Sequence, residues 1–233
     1  MIKDYFTELL NKAGIKGLTD EKSDKLIKYM DLLCEKNKVV NLTAIREEKE
    51  ILEKHFIDSL FLKDILLAKD KKIIDIGTGA GFPGLVLGIC YPEKEFFLVD
   101  SVRKKVDFIN EVVEKLDLKN IITSHERAED LIKKNRETFD VGLCRGVSNL
   151  RVILEYVIPF LKKGGRFLPQ KLNLNELEES QNALKELNSE IIAIHRFKLP
   201  VLGDERVVLE ILKLKETNKK FPRNTGMPAK KPL

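Results

Sequence analysis

The sequence has no tryptophan and only three cysteines and three histidines among its 233 residues. Cys34, Cys90 and Cys144 are odd in number, far apart and set in apolar segments, so we expect reduced core thiols and no disulfide framework. The histidines do not cluster with acids or cysteines at metal-ligand spacing. These scarcities argue against a secreted disulfide scaffold, a metalloenzyme and a cysteine-based redox protein.

Long apolar runs are also missing. The stretch from Leu85 to Tyr91 is among the longest, and it is far shorter than the ~18 residues that span a bilayer. The opening Met1-Ile2-Lys3-Asp4 lacks the apolar segment of a secretory signal. With 43% hydrophobic and 34% charged residues, the composition is typical of a globular protein. We expect a cytoplasmic monomer with no membrane partner and no bound metal.

The positive charge is concentrated at one end. The net charge is +5, but the residues from 213 onward carry seven basic side chains against one glutamate, so the rest of the chain sums to −1. A basic tail is a common sign of a polyanionic partner, and it can equally be a solvated chain end. Both interpretations stay open. The basic residues of this region are Lys213, Lys215, Lys219, Lys220, Arg223, Lys230 and Lys231.

The first 70 residues predict a helical cap. Thr19 can cap a helix with an acidic first turn, and apolar residues from Leu26 to Leu33 recur at the spacing of one helix face. A second helical pattern runs from Ile51 toward Leu67. No strand-like alternation interrupts this region.

From Lys72 the pattern changes to short apolar runs that alternate with helical segments, which predicts a doubly wound parallel sheet. Residues 191–199 and 207–214 then read as two strands joined by a loop, which predicts a closing antiparallel pair. We therefore predict an α/β, Rossmann-like fold of the class I S-adenosylmethionine-dependent methyltransferases, with a mainly parallel seven-stranded sheet and a C-terminal hairpin. The expected boundaries are a cap over residues 1–70, a methyltransferase domain over 71–215 and a basic tail over 216–233.

A glycine-rich turn follows the first predicted strand, from Asp75 to Gly84. Glycines let the backbone turn sharply and approach a ligand closely, with the amides of the next helix pointing at it. The spacing is G-x-G-x-G, unlike the G-x-G-x-x-G of pyrophosphate-binding loops. Asp100 ends the second strand, where an acidic side chain can accept hydrogen bonds from ribose hydroxyls. The alternatives are a purely structural turn and an N-capping role for Asp100.

These segments resemble the RsmG family, the 16S ribosomal RNA guanine-N7 methyltransferases first called glucose-inhibited division protein B. The similarity runs from about residue 20 to Lys213, and the glycine turn combined with an upstream H-x-x-D-S is its most specific part. The segments that carry it are Asn41-Leu42-Thr43, His55-Phe56-Ile57-Asp58-Ser59-Leu60, Ile74 to Gly84, Val99-Asp100-Ser101 and Cys144-Arg145-Gly146. The end from Phe221 to Leu233 resembles a basic extension of some members only.

The resemblance implies S-adenosylmethionine as cofactor and 16S rRNA, or the small ribosomal subunit, as partner. For Glu129 the alternative is a solvated residue in a charged helix start. With Asp100 as the ribose anchor, the predicted cofactor contacts are Gly77, Gly79, Phe82, Asp100, Ala128, Glu129 and Arg145. The candidate RNA contacts are Lys171, Arg206, Lys219, Lys220, Arg223, Lys230 and Lys231.

The residues also bear on the acceptor. Guanine N7 carries a lone pair and no proton, so it needs no general base, and the sequence shows none. The segment Leu143 to Val147 lacks the Pro-Pro-aromatic motif typical of amine methyltransferases, and Cys144 is expected in the core. Arg145 can orient a flipped guanine through O6 or a nearby phosphate, or serve only the cofactor or an ion pair. We assign no catalytic residue.

Three other functions fit parts of the pattern. A methyltransferase with a different RNA, small-molecule or protein acceptor would share the glycine turn. An NAD-dependent oxidoreductase would share the first half of the fold. A non-catalytic RNA-binding module would share the basic tail.

Overall fold

The computed structural model describes all 233 residues and contains one sheet of seven strands. The strands are β1 (Lys72–Ile76), β2 (Glu95–Val99), β3 (Ile121–Ser124), β4 (Phe139–Arg145), β5 (Leu161–Lys171), β6 (Ser189–Lys198) and β7 (Glu205–Lys213). The α-helices are α1 (Ile2–Lys12), α2 (Asp20–Asn37), α3 (Glu48–Ile51), α4 (Asp58–Leu60), α5 (Gly84–Cys90), α6 (Arg103–Lys115), α7 (Ala128–Asn135), α8 (Leu150–Val157), α9 (Gln181–Glu186) and α10 (Met227–Lys230). A π-helical turn spans Leu52–Ile57, and 3₁₀ turns span Lys63–Ile65 and Ile158–Phe160.

The strand order is β3-β2-β1-β4-β5-β7-β6. Strands β1 to β5 pair in parallel, because a helix crosses over between each strand and the next. Strand β7 is antiparallel to both β5 and β6, and only a short loop joins it to β6. The predicted fold class, with its parallel sheet and closing hairpin, is confirmed. Each hairpin strand starts two residues earlier than predicted.

The cap is helical, as predicted, but its second half is not one continuous helix. Thr19 caps α2 by accepting a hydrogen bond from the Lys22 amide at 3.3 Å. The predicted pattern from Ile51 to Leu67 is divided into α3, the π-helical turn, α4 and a 3₁₀ turn. π-helical turns within helices are frequent at functional sites. The cavity described below is lined in part by this turn.

Apolar side chains cover both faces of the sheet. The cap packs on the face that α5 and α6 cover, and its Phe6 and Phe56 are fully buried there. Helices α7, α8 and α9 cover the opposite face together with Phe221 near the C-terminus. Helix α9 was not anticipated from the sequence. No helix combines the length and apolarity needed to cross a membrane.

The basic C-terminal segment, residues 214–233, folds back onto this second face. Glu155 on α8 is fully buried, and Arg223 pairs with both its oxygens at 2.7 and 3.0 Å. The amide of Gly226 donates to Oε1 of Glu129 at 3.0 Å, and Pro228 is buried. A buried carboxylate needs a paired cation, so Arg223 compensates the negative charge of Glu155 in the interior of the protein. Of the two interpretations left open for the chain end, a wholly solvated segment does not describe this part.

Candidate functional site

A cavity of about 610 Å³ lies at the carboxyl ends of β1, β4 and β5. Open α/β sheets bind ligands at this edge. The cavity brings together six predicted site residues that are far apart in the chain: Gly77, Gly79, Phe82, Arg145, Lys171 and Arg206. Asp100, Ala128 and Glu129 follow β2 and β3 and are not part of its lining.

The glycine turn forms one wall. Gly77 adopts a φ of +73°, and a Cβ there would lie 2.2 Å from a methyl carbon of Val147, so only glycine allows the turns after β1 and β4 to approach this closely. Gly79 adopts a φ of +63°, and a Cβ there would point into open space. The amides of Gly77 and Thr78 both donate to the carbonyl of Val99 at the end of β2.

Asp75, near the end of β1, holds the glycine turn in place through hydrogen bonds. Its Oδ2 accepts hydrogen bonds from the Thr78 hydroxyl at 2.7 Å and from the Gly84 amide at 2.9 Å. Burial raises the pKa of Asp75 to about 7, and these two hydrogen bonds oppose the rise. Sequence reasoning treated Asp75 only as part of the motif.

Asp100 has internal partners on both oxygens. Its Oδ2 accepts from the Gly79 amide and its Oδ1 from the Val102 amide, each at 2.9 Å, and Lys105 lies 3.8 Å away. Asp100 is not the N-cap of α6, because Val102 occupies that position and no side chain caps the helix. Its Oδ1 instead holds the amide of Val102 just before the helix begins. Each oxygen of a carboxylate has a second lone pair, so the ribose contact stays a prediction.

The cap holds the glycine turn through aromatic rings. The Phe82 ring lies between Tyr29 of α2, with ring centroids 5.3 Å apart, and His55 of the π-helical turn, at 4.7 Å. The buried Tyr29 hydroxyl donates to the Ala80 carbonyl at 2.6 Å. A Cβ at Gly81 would lie 2.7 Å from that hydroxyl oxygen, so the third loop glycine makes room for the cap.

A buried polar network forms the opposite wall. Asp58 lies at its centre. Its carboxylate accepts hydrogen bonds from Arg145 Nη1 at 2.9 Å and Gln170 Nε2 at 3.2 Å, and forms an ion pair with Arg206 Nε at 3.4 Å. Gln170 Nε2 also donates to the Asp58 carbonyl at 2.8 Å, and two acceptors fix the orientation of its amide. Burial raises the pKa of Asp58, while Arg145 and Arg206 oppose the rise.

His55 connects this network to the loop before α3. Arg145 Nη2 lies 3.1 Å from its Nδ1, and the Thr43 hydroxyl lies 2.8 Å from its Nε2. A guanidinium can only donate, so Nδ1 accepts and the ring proton resides on Nε2. Burial, followed by the charge of Arg145, lowers the pKa of His55 to about 3. Sequence analysis noted His55 and Asp58 only within the H-x-x-D-S segment and missed their common partner, Arg145.

The predicted RNA contacts fall into two groups. Lys171 and Arg206 line the cavity but are already paired, Lys171 with Glu176 at 2.7 Å and Arg206 with Asp58. The others belong to the C-terminal segment, and none lines the cavity. Lys219, Lys230 and Lys231 are exposed, Lys220 pairs with Glu186 at 3.1 Å, and Arg223 pairs with Glu155.

Two cysteines are core residues. Cys90 and Cys144 are buried, and burial raises the pKa of the Cys144 thiol far above its usual range. A thiol that stays protonated is a poor nucleophile, which supports the core role predicted for it. Cys34 is only half-buried.

Known proteins resemble this chain over most or all of its length. The family model described as rRNA small subunit methyltransferase G matches residues 22–205. A ribosomal RNA small subunit methyltransferase G from Fusobacterium nucleatum is 56% identical over 233 residues, with both chains fully covered. One from Acetivibrio thermocellus is 45% identical over 220 residues, covering 93% of this chain and 91% of its own.

Solved structures share the fold at low sequence identity. A SAM-dependent methyltransferase from Aquifex aeolicus aligns with a TM-score of 0.56 and 19% identity, covering 71% of this chain and 93% of its own. A ribosomal protein L11 methylase from Lactobacillus delbrueckii aligns with a TM-score of 0.55 and 15% identity, covering 70% and 80%. At this identity the likeness concerns the fold alone.

Proposed function

This chain belongs to the rRNA small subunit methyltransferase G family, and we propose that it transfers a methyl group from S-adenosylmethionine to N7 of a guanine in 16S rRNA. S-adenosylmethionine supplies a methyl group on a sulfonium, which an in-line displacement delivers to a nucleophile. The observation that carries the proposal is the cavity, which has the glycine turn on one wall and three paired cations, Arg145, Lys171 and Arg206, on the other.

The glycine turn suits the cofactor. At Gly79 and Gly146 the backbone has φ values of +63° and +64°, and a Cβ at either would point into open space. A side chain at either position would therefore occupy part of the cavity. The volume of about 610 Å³ is within the usual range for small-molecule sites. We propose that Gly77, Gly79, Phe82 and Arg145 hold the cofactor on this side. Asp100, Ala128 and Glu129 would hold its adenosine, at the ends of β2 and β3.

The acceptor side contains no free general base. The carboxylate of Asp58 is shared by Arg145, Gln170 and Arg206, and both nitrogens of His55 have partners. Glu176 accepts from the Leu150 amide at 2.6 Å and pairs with Lys171. Guanine N7 has no proton to lose, so such a site is suited to it.

Arg145 is placed to serve the acceptor as well as the cofactor. Its guanidinium lines the cavity 5.3 Å from the centroid of the Phe82 ring. We propose that it orients the guanine through O6 or an adjacent phosphate, because a grip on both O6 and N7 would block the methyl transfer. The guanine must be looped out or flipped to reach the cavity, because side chains cannot reach base edges in the major groove of A-form RNA.

The test is methyl transfer from tritiated S-adenosylmethionine to 16S rRNA and to small ribosomal subunits purified from cells that lack this protein. Nucleoside mass spectrometry should find the label in 7-methylguanosine. Label in a different nucleoside would refute the N7 assignment, and binding of rRNA without turnover would support a non-catalytic module.

The Arg145→Ala variant separates the two roles of that residue. Loss of rRNA methylation at saturating S-adenosylmethionine supports contact with the acceptor. Weakened cofactor binding with an unchanged rate at saturation would leave Arg145 a cofactor contact only.

A further inference from the structure

We propose that His55 and Asp58 are positioning residues that fix the guanidinium of Arg145 in one orientation at the wall of the cavity, a role that rests on the methyl-transfer function proposed above. Arg145 donates to the Lys54 carbonyl at 3.0 Å, to Asp58 Oδ2 at 2.9 Å and to His55 Nδ1 at 3.1 Å. All three acceptors belong to residues 54–58 of the cap. A guanidinium is planar with N–H groups in fixed directions, so three acceptors from one segment determine its plane.

The segment that supplies these acceptors is itself held from several sides. The His55 ring stacks on Phe82, with ring centroids 4.7 Å apart. The backbone carbonyl of His55 accepts a hydrogen bond from the Ser59 hydroxyl at 2.6 Å. Gln170 from β5 and Arg206 from β7 hold the Asp58 carboxylate. We call Lys54, His55 and Asp58, which surround the Arg145 guanidinium, the clamp. The clamp connects the cap to three strands, β4, β5 and β7. A movement of the cap would therefore change the orientation of Arg145.

Histidine serves this role only in its neutral form. A protonated ring would direct the Nδ1 proton at an N–H group of Arg145, placing two donors and two positive charges 3.1 Å apart. Burial and the charge of Arg145 lower the pKa of His55 to about 3, so the ring stays neutral near pH 7. Thr43 completes the arrangement, because its hydroxyl oxygen accepts a hydrogen bond from the Nε2–H of the neutral ring. This gives a structural role to the H-x-x-D pair and to Thr43 of the Asn41-Leu42-Thr43 segment.

A double-mutant cycle tests the clamp. Misplacing a substrate-orienting group by about 1 Å can cost a factor of about 100, so we expect His55→Leu to lower kcat/KM on small ribosomal subunits by about 10- to 100-fold. In an Arg145→Ala background the same change should cost almost nothing more, because His55 acts only through Arg145. His55→Gln should retain most of the rate, since its amide can accept from Arg145 and donate to Thr43.

The control is Lys36→Met, which removes an ion pair between the cap and α6 (Lys36 to Glu111, 2.7 Å) without touching the cavity lining. It should leave kcat/KM unchanged. The clamp is overturned if the losses from His55→Leu and Arg145→Ala multiply, or if His55→Gln is as impaired as His55→Leu. If His55→Leu folds poorly, Thr43→Val can replace it in the double-mutant cycle with Arg145→Ala. It removes the hydroxyl that contacts His55 Nε2 and should lower kcat/KM less.

Nitrogen NMR of the His55 ring gives a readout that does not depend on activity. At pH 7 the clamp requires a neutral ring with its proton on Nε2. A proton on Nδ1, or a charged ring, would overturn it. If the wild-type protein methylates no rRNA while this tautomer is observed, the proposed function fails and the clamp stands.

Discussion

The two ends of the chain use their polar side chains for different purposes. The N-terminal cap has Tyr29 against the glycine turn and directs His55 and Asp58 into the cavity. The C-terminal segment, residues 214–233, has six basic residues against one glutamate, and this excess of +5 equals the net charge of the chain. Yet it contributes no residue to the cavity, and its Arg223 neutralises the buried Glu155. The sign of a side chain's charge therefore does not tell whether it serves a ligand or the fold. Its partner decides.

The largest effect on stability is expected from Tyr29→Ala, which removes the ring that joins the cap to the glycine turn. Tyr29 is fully buried and stacks on Phe82. Loss of a large buried aromatic side chain costs about 3–5 kcal/mol, so urea unfolding should show a loss of about 4 kcal/mol. Tyr29→Phe removes only the hydrogen bond to Ala80 and should cost about 1 kcal/mol. Equal losses in both variants would show that the hydroxyl, and not packing, joins the cap to the turn.

Arg223→Ala should have the next largest effect. It leaves the Glu155 carboxylate buried without its cation, which we expect to lower the free energy of unfolding by about 3 kcal/mol. Lys219→Ala, in the same segment but exposed, should change it by less than about 0.5 kcal/mol. The methylation rate of folded Arg223→Ala should match the wild type. A variant of full stability with reduced methylation would show that this end also serves the site.

The pH dependence of stability distinguishes His55 from Asp75. The folded pKa of His55, about 3, is below its unfolded value of 6.5, so its contribution to stability is complete above pH 6.5 and is lost as the pH falls. Its slope is at most about 1.4 kcal/mol per pH unit. Arg145, Lys54 and Asp58 are the charged groups nearest this ring, and His55→Gln should flatten the acid side of the unfolding profile.

The expected effect at Asp75 has the opposite sign. Its folded pKa, about 7, is above its unfolded value of 3.8, so the stability that its protonated form contributes is lost as the pH rises through 7. Asp75→Asn keeps an oxygen that accepts hydrogen bonds from Thr78 and Gly84. The difference in the free energy of unfolding between this variant and the wild type should therefore favour the variant more at pH 8 than at pH 5. Urea unfolding at these two pH values measures both slopes, and parallel profiles for the wild type and both variants would contradict the pKa assignments.

The smallest effect is expected from the exposed lysines of the C-terminal segment. If Lys219, Lys230 and Lys231 contact rRNA phosphates, replacing all three with glutamine should reduce the slope of log affinity against log salt by about 2 to 3. Stability should stay within about 0.5 kcal/mol of the wild type. An unchanged salt slope would mean that these three lysines make no RNA contact.

Much of the fold could be predicted because its signals are local. The alternation of strands and helices, the Thr19 cap and the glycine turn each depend on residues close together in sequence. The cavity edge followed from the topology, since the carboxyl ends of parallel strands meet there. The π-helical turn and α9 were missed because tertiary packing overrode weak local patterns.

The rest of the site depends on pairs that are distant in sequence. Arg145 and Asp58 are 87 residues apart, and Arg223 and Glu155 are 68 apart. Hydrophobic and glycine patterns determined by themselves that a glycine turn would form at one edge of a parallel sheet, because backbone conformation and burial obey local rules. Only the tertiary structure decided which charges meet, because the energy of a buried ion depends on the partner that the fold brings within about 3 Å of it.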